Sequence, residues 1–202
     1  MTDYCEVGDI LEHMPDTTFA PEYENTFRLL ITRASRLIDR ATARPDGAFY
    51  ASADSVRYFD GSGQREQWIG ELAAAPTTVQ VDEGGAGTYT TWAGTDYILW
   101  PYNAAADGKP YTRLDVDQLN GDKAVWYRFP RSVKITGKWG YSVAVPEEVK
   151  QAVIIQTVRW FKRAQQAYQD VGAIVELGQL RFVRQIDPDV EFIVNHLRRV
   201  TI

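Results

Sequence analysis

The chain has 202 residues, and its 22 basic and 27 acidic side chains give a net charge of −5 at pH 7. Hydrophobic residues make up 45% and charged residues 24%, which is typical of globular proteins and excludes a fibrous or disordered chain. A mildly acidic chain gives no general reason to expect tight binding to nucleic acid, because that affinity depends mainly on Lys and Arg. No signal-peptide pattern opens the chain, and its longest aromatic-aliphatic run, 97–102, is far shorter than the roughly 18 residues of a membrane helix. We therefore expect a soluble protein with no membrane partner.

The chain has few residues of the types that act in catalysis or bind metals. The single cysteine, Cys5, can form neither an intrachain disulfide nor a cysteine-based metal cage, which favours a reducing compartment. The two histidines, His13 and His196, lie near opposite ends of the chain, and a hydrolase with a histidine base would have to recruit one of them. Nothing near either histidine resembles a nucleophile elbow.

Two other patterns have simpler structural interpretations. The glycines of 84–87 precede β-prone residues, whereas a phosphate-binding loop would need a helix there. The carboxylate pairs Asp115–Asp117 and Asp187–Asp189 lack a third ligand, so solvated or helix-capping side chains are favoured over a metal site. The sequence therefore predicts no catalytic residue, no metal and no cofactor, and hence no enzyme.

The first 45 residues predict two helices. A short one falls within 3–14, and Pro21 favours the start of a longer one, because its missing N–H costs nothing in the first turn. Residues 44–47 end this second helix. Its apolar residues follow one another in steps of three and four, as in a stripe that packs on a core; they are Tyr23, Phe27, Leu30, Ile31, Ala34, Leu37, Ile38 and Ala41.

Residues 49–141 predict a β domain. They hold 11 of the 15 glycines and 16 of the 25 aromatic residues, and short β-prone stretches alternate with turn clusters. This pattern is typical of an antiparallel meander, sandwich or small barrel. The predicted strands are 55–59, 77–81, 88–92, 96–100, 111–116, 125–129 and 133–136.

The tryptophans of this β segment have two interpretations. They could line a sugar-stacking groove, as in a carbohydrate-binding accessory module, or they could fill the interior of the domain. The second interpretation is favoured because large aromatic residues in a small β domain usually form its core. The five residues are Trp68, Trp92, Trp100, Trp126 and Trp139.

The last part of the chain returns to helix. Pro146 and the two acids after it mark the start of a long helix that extends to about residue 171. Residues 152–161 are apolar on nearly every side, so part of this surface is expected to meet another subunit. An extended segment is predicted at 180–185, and Asp187 caps a last helix that ends at Arg198 and Arg199.

These elements predict an α+β fold. The helical parts at both ends of the chain each carry an apolar stripe, so they are expected to pack together as one small bundle. We therefore predict a helical bundle of residues 1–48 and 142–202, with an antiparallel β domain of residues 49–141 inserted between its helices.

Charge is segregated near the start of the chain. Residues 1–27 contain seven acids and no Lys or Arg, whereas residues 28–44 contain five arginines and one acid. One interpretation is a solvated face favoured by the helix dipole. The other is a subunit interface, in which the acids of one copy meet an arginine stripe on the next. Nucleic-acid binding is disfavoured because the acids would repel phosphate. The interface residues would be Asp3, Glu6, Asp9, Glu12, Arg33, Arg36, Arg40 and Arg44.

A longer motif resembles a known family. Residues 133–141 read Val-Lys-Ile-Thr-Gly-Lys-Trp-Gly-Tyr, and residues 145–152 read Val-Pro-Glu-Glu-Val-Lys-Gln-Ala. Together they resemble the head-tail connector (adaptor, or head-completion) proteins of long-tailed bacteriophages, in which Gly-x-Trp-Gly-Tyr leads through Val-Pro into a long helix. Residues 4–10, 57–61 and 187–199 are similar to the first helix, first strand and terminal helix of that family. The motif residues are Gly137, Trp139, Gly140, Tyr141 and Pro146.

The resemblance implies a structural virion protein of the head–tail neck, assembled in the host cytoplasm. Such proteins form a homo-oligomeric ring, commonly of twelve copies, below the portal protein, and double-stranded DNA passes through the bore without sequence-specific binding. The other implied partners are a tail-side neck or head-closure protein and, through the β domain, the major capsid protein. A head-closure or tail-terminator ring is the alternative. The predicted helices at both ends of the chain disfavour it, because those proteins are mostly β.

The C-terminal end is the expected portal contact. Arginines at the end of a helix also suit its dipole, so their presence alone does not require a partner. A β-prone tripeptide follows them, and an extended end can pair with an exposed sheet edge on a partner. In the resembling family the C-terminal region usually contacts the portal, which implies a site made of Arg198, Arg199, Val200, Thr201 and Ile202.

Overall fold

The structure is a computed structural model that describes residues 2–14, 23–169 and 186–199. The chain divides into two compact units, one of Met1–Gly47 with Val145–Ile202 and the other of Ala48–Ala144. Helices form the first unit and two antiparallel sheets form the second, so the predicted α+β fold class is confirmed. Within the described residues, no helix is both long and apolar enough to cross a membrane.

The helical unit contains the four helices that the sequence predicts. Pro21 and the predicted extended segment 180–185 lie outside the described residues, as does the predicted end of the third helix near residue 171. Asp187 caps the last helix as expected, because its carboxylate accepts the amide of Asp189 at 3.0 Å. The helices are α1 (Val7–Glu12), α2 (Glu24–Ala41), α3 (Glu147–Gln169) and α4 (Pro188–Leu197).

Helix α2 packs on α3 through the predicted apolar stripe, and α1 contacts both helices. Phe27, Ile31 and Ile38 are buried, and the Phe27 ring centre lies 4.4 Å from that of Phe161 on α3. Full burial of such a side chain contributes about 1.5–3 kcal/mol. Leu30 and Leu37 lie at the margin of the stripe and are half-buried.

The β unit is a sandwich of a four-stranded and a three-stranded antiparallel sheet. The strand order is β1-β7-β3-β4 in the first sheet and β2-β6-β5 in the second. The two sheets bury one common apolar core. The strands are β1 (Ser55–Phe59), β2 (Glu66–Leu72), β3 (Thr78–Val81), β4 (Thr90–Thr91), β5 (Tyr97–Trp100), β6 (Tyr111–Val116) and β7 (Val133–Gly137).

Alternation along the strands places one side of each sheet in this core. On β7, Val133 and Ile135 are buried, whereas Lys134 and Thr136 lie on the outer face. Successive side chains of a strand point to opposite faces, so each sheet has one outer face directed away from the core.

One predicted strand is absent from the structure, and one observed strand was not predicted. Residues 125–129 form no strand, because the Trp126 backbone makes only isolated hydrogen bonds to the distant turn residues Gly63 and Gln64 instead of continuing a ladder. Strand β2 was not predicted, since its Glu and Gly residues are depleted in strands. Pairing with β6 places Glu66 opposite Asp115 and thereby makes this segment a strand.

The tryptophan prediction holds for three of the five residues. Trp92, Trp126 and Trp139 are buried, and the rings of Trp92 and Trp126 are stacked with their centres 4.5 Å apart. Trp68 and Trp100 are 58% and 40% exposed, so the expectation of an interior position is wrong for these two. Both lie on the outer face of the three-stranded sheet.

Candidate functional site

The N-terminal segment is held against α2 by polar contacts. Tyr4 is buried; its amide donates to the Ser35 hydroxyl at 3.2 Å, and its own hydroxyl donates to the carboxylate of Asp39. The Thr32 hydroxyl donates to a carboxylate oxygen of Asp3 at 2.8 Å. Asp3, an expected interface residue, is therefore bound within its own chain.

Arg36 belongs to the same buried cluster and is only 8% exposed. Its Nη1 lies 3.2 Å from Oδ2 of Asp39, and its Nη2 donates to the Thr2 carbonyl at 2.5 Å. The guanidinium also lies 5.5 Å from the ring centre of Tyr4. Burial raises the pKa of Asp39 above its ordinary value, against the hydrogen bonds from Tyr4 and the Gly47 amide, which lower it.

Arg44 is buried as well, and its guanidinium donates to the carbonyl of Leu197 at the end of α4. Beside it, the amide of Arg199 donates to the carbonyl of Thr42 at 3.0 Å. The prediction of one exposed arginine stripe is therefore wrong for Arg36 and Arg44. Helix α2 carries Arg33, Arg36 and Arg40, whereas Arg44 lies in the turn after its end; the N-terminal segment covers Arg36 and α4 covers Arg44.

The other two arginines of the stripe remain accessible. Arg33 and Arg40 are exposed, and neither forms an ion pair with another described residue. They are separated by two turns of α2, so they can share a single contact with a partner. Of the eight expected interface residues, Arg33, Arg40 and the exposed acids Glu6 and Glu12 are the ones available to a neighbouring copy.

The expected interface acids at and near α1 also fall into two groups, one bound within the chain and one exposed. The Asp9 carboxylate accepts the Glu6 amide at 2.8 Å and lies 2.8 Å from the Lys150 ammonium on α3. Burial raises the pKa of Asp9, but these two contacts outweigh it and leave that pKa below its ordinary value. The side chains of Glu6 and Glu12 are exposed.

The last helix presents the expected portal residues at its end. Its start is bound to α3, because the Asp187 amide donates to Gln156 Oε1 at 3.1 Å and the Asp187 carboxylate pairs with Arg159. The side chains of Arg198 and Arg199 are exposed. Val200, Thr201 and Ile202 lie outside the described residues.

An open groove of about 640 Å³ runs along α3. Ile154 is buried beneath it, and Ile155 and Val158 are half-buried, so its floor is apolar. Lys162 and Arg163 are exposed on its rim. The groove corresponds to the part of this helix that the sequence predicts to be apolar on nearly every side.

The residues of the Gly-x-Trp-Gly-Tyr motif pack the end of β7. A side chain at Gly137 would meet Leu72 at 2.9 Å, and one at Gly140 would meet the Ala48 carbonyl at 2.5 Å. Trp139 is 8% exposed and donates its Nε1–H to the Ser55 carbonyl at 2.9 Å. These contacts make the motif structural.

The last two motif residues also have structural partners. The Tyr141 amide donates to the Ala48 carbonyl at 2.7 Å, and its ring centre lies 5.3 Å from that of Phe49. The carbonyl of Pro146 accepts the amides of Val149 and Lys150, both at 3.0 Å, in the first turn of α3.

In the described part of the chain, the residues singled out for chemistry have structural partners or are buried. Asp82 accepts the amides of Gly84, Ala86 and Gly87 at 3.2, 3.2 and 2.7 Å, so this glycine-rich turn already holds a carboxylate. Burial raises the pKa of Cys5 to about 12, which keeps the thiol protonated. Among the described residues, no group of three or more His, Cys, Asp or Glu side chains could hold a metal ion.

Comparison with known proteins supports the fold. No protein-family profile and no curated protein matches the sequence. A chain from a solved structure entitled "Neck of empty GTA particle computed with C6 symmetry" is 17% identical, with a TM-score of 0.56 over 98% of this chain and 91% of that chain. Another, from "Neck of native GTA particle computed with C12 symmetry", is 16% identical, with a TM-score of 0.52 over 100% and 94%. The likeness establishes a shared fold.

Proposed function

We propose that this chain is a structural neck protein of a tailed, phage-like particle, in which a ring of copies below the portal joins the head to the tail. The observation that carries the proposal is the likeness to chains of particle necks over nearly the full length of both chains. Because the likeness includes the helices and the sheets together, it goes beyond a common supersecondary motif.

Exposed surfaces of the helical unit support this proposal. Each copy in a ring must offer two different patches, because a head-to-tail contact joins unlike surfaces. The groove on α3 has an apolar floor and the basic rim residues Lys162 and Arg163. The exposed arginines Arg33 and Arg40 of α2 provide a further basic surface, and the exposed acids Glu6 and Glu12 provide the unlike, acidic one.

The C-terminal end is our candidate for the portal contact. Helix α4 is bound to α3 at its start and to the end of α2 at its last turn. The exposed side chains of Arg198 and Arg199 therefore project from a rigid base, and residues 200–202 follow them. A tail-side neck protein and the major capsid protein are the other partners in this proposal, with DNA passing through the ring bore.

Localisation in whole particles tests the function. We expect antibody label against the chain at the head–tail junction in electron micrographs, with about twelve copies per particle by quantitative mass spectrometry. Deletion of the gene from the producing strain should give DNA-filled or leaking heads without tails, and a plasmid copy should restore tails. Label on the tail tip or capsid faces, or normal particles from the deletion strain, would contradict the proposal.

A further inference from the structure

The β unit has two chemically different outer faces. The outer face of the three-stranded sheet, here the tryptophan face, carries Glu66, Trp68, Trp100, Arg113 and Asp115. The outer face of the four-stranded sheet and its adjoining turns, here the tyrosine face, carries Tyr58, Tyr89, Arg131 and Lys134. Because the inner faces of the two sheets share one core, these faces lie on opposite sides of the unit.

The tryptophan face is a preformed aromatic ladder. The strand register places Arg113 of β6 directly between Trp68 of β2 and Trp100 of β5. The guanidinium lies 5.4 Å from the Trp68 ring and 5.2 Å from the Trp100 ring, measured to the ring centres. Its Nε lies 2.8 Å from Asp115, and its Nη1 lies 3.4 Å from Glu66. The rotamers of the ladder are therefore restrained before any partner binds.

The charge of this face is negative, because two carboxylates surround one guanidinium. A negative face repels phosphate, which excludes a nucleic-acid backbone as its occupant. Arg113 also occupies the ring faces that the two indoles turn toward each other, which leaves less aromatic surface for sugar stacking. Exposed tryptophans beside a partly buried arginine, on a restrained surface, are typical of the central residues of protein interfaces.

The tyrosine face is also aromatic, but its charge is positive. The rings of Tyr58 and Tyr89 have their centres 6.2 Å apart, and the Arg131 guanidinium lies 4.6 Å from the Tyr58 ring centre. The Lys134 ammonium lies 5.6 Å from the Tyr89 ring centre. Among the described residues, no carboxylate forms an ion pair with either cation. The Asp60 carboxylate accepts the Arg131 amide at 2.7 Å and offsets one of the two cations, so the face keeps one excess positive charge.

We propose that the tryptophan face of one copy binds the tyrosine face of the next copy around the ring. The proposal rests on the proposed ring function and names the contact made by its β units. Unlike patches on opposite sides of one unit are what a head-to-tail ring requires. Opposite charges set the register of the contact, and the indole and phenol rings bury apolar area.

Self-association of the full chain tests this contact. The tryptophan-face variant is Trp68→Ala with Trp100→Ala, and the tyrosine-face variant is Tyr58→Ala with Lys134→Glu. Leu119→Ala is the matched control, because Leu119 is 95% exposed in the same unit and belongs to neither face. We expect each face variant to raise the dissociation constant for self-association at least tenfold in sedimentation experiments, while the control stays at the wild-type value.

Mixing the two face variants gives the sharper readout. Each variant keeps the face that the other lacks, so the mixture should contain a 1:1 pair that neither variant forms alone. Charge exchange gives a second readout, because Glu66→Lys and Lys134→Glu should each weaken association and should restore it when combined in one chain. Circular dichroism and a monomeric sedimentation coefficient establish that each variant remains folded.

The remaining outcomes separate this proposal from the proposed function. If both face variants form rings like the wild type in electron micrographs, the docking proposal is wrong and the ring function stands. If the wild-type chain forms no ring in solution or in particles, both are wrong. Binding of the wild type to chitin beads that is lost in the tryptophan-face variant, with ring formation intact, would overturn the proposal in favour of a glycan site.

Discussion

The guanidinium of Arg36 lies 3.2 Å from the carboxylate of Asp39, and both side chains are buried within one chain. Arg36 is the second arginine of a run that the sequence alone presents as a uniform basic stripe. Its contacts with Asp39, Tyr4 and the Thr2 carbonyl show that part of this charge holds the N-terminal segment to α2. The basic surface left for a partner is smaller than the sequence suggests.

Replacing Arg36 by Ala should destabilise the helical unit strongly. Removal of one partner from a buried ion pair leaves the other charge uncompensated, which typically costs about 3–5 kcal/mol. The matched change, Arg40→Ala, removes an exposed arginine from the same helix and should change the free energy of unfolding by less than about 0.5 kcal/mol. Urea unfolding followed by helical circular dichroism measures both. Equal effects of the two changes would mean that Arg36 is not buried.

The apolar stripe of α2 should show a graded response to truncation. Ile38 is fully buried, so Ile38→Ala should cost about 2–5 kcal/mol. Leu37 is half-buried, and Leu37→Ala should cost clearly less. The same urea titration compares the two variants. A larger loss of stability for Leu37→Ala than for Ile38→Ala would mean that α2 packs on α3 through a different face.

The Glu83–Lys123 pair should make the β unit sensitive to acid. The hydrogen bond from the Lys123 ammonium, at 2.6 Å, lowers the pKa of Glu83 below its ordinary 4.5, and the Trp92 indole adds a second bond at 3.0 Å. A lowered folded-state pKa stabilises the protein above the unfolded pKa, and this contribution is lost as pH falls through the folded value. Glu83→Gln should therefore lower the urea midpoint near neutral pH and have little effect in strong acid.

Tryptophan fluorescence can follow this transition, because Trp92 belongs to the core of the β unit. Asp107→Asn is a control for loss of a carboxylate from the same unit, since Asp107 is exposed and is not among the groups that shift the pKa of Glu83. A difference between wild type and Glu83→Gln that stays constant from neutral pH to strong acid would argue against the Lys123 contact.

Ring assembly should depend on the accessible arginines of α2. Arg33→Glu with Arg40→Glu should give a folded chain that assembles poorly, because both side chains are exposed and carry no structural ion pair among the described residues. High salt should weaken assembly of the wild type in the same direction, since the Debye length falls to about 3 Å at 1 M. Sedimentation at low and high salt measures both effects. Wild-type assembly by the double variant would leave these arginines as solvated surface.

Removal of residues 200–202 should block attachment to heads without loss of the fold. The Arg199 amide contact with Thr42 is retained in this truncation, whereas removal of 198–202 eliminates it and could loosen α4. Arg198→Ala with Arg199→Ala tests the charges separately, because the backbone contact remains. Complementation of a deletion strain, scored as tailed particles in electron micrographs, measures each change. Full complementation by all three variants would place the portal contact elsewhere.

The predictions from local sequence succeeded where a strong periodic signal was present. The helix α4 was predicted from Asp187-Pro188-Asp189 and a short apolar pattern, and the structure has the expected cap. Strand β6 was predicted at its observed bounds, because residues 111–116 are bounded by turn residues and carry β-prone side chains. Strand β2 was missed, since its composition disfavours a strand and only its cross-strand partner makes it one.

The candidate site depended more on tertiary contacts. The spacing of Arg33, Arg36, Arg40 and Arg44 was visible in the sequence, but their division into two buried and two exposed residues was not. The Trp68–Arg113–Trp100 ladder was missed because its members are separated by about 45 and 13 residues along the chain. Strand register brings them together, and a sequence pattern carries no information about register between distant strands.

By itself, therefore, the sequence determined the fold class, the four helices and most of the strands, because helix caps, turn residues and hydrophobic period are local properties. Tertiary structure decided which charged side chains form contacts within the chain and which remain exposed to a partner. Helix α4 and the N-terminal segment cover Arg44 and Arg36, and sheet pairing aligns Trp68 and Trp100 around Arg113. Burial is a property of the neighbours that a residue acquires on folding, and those neighbours come from distant parts of the chain.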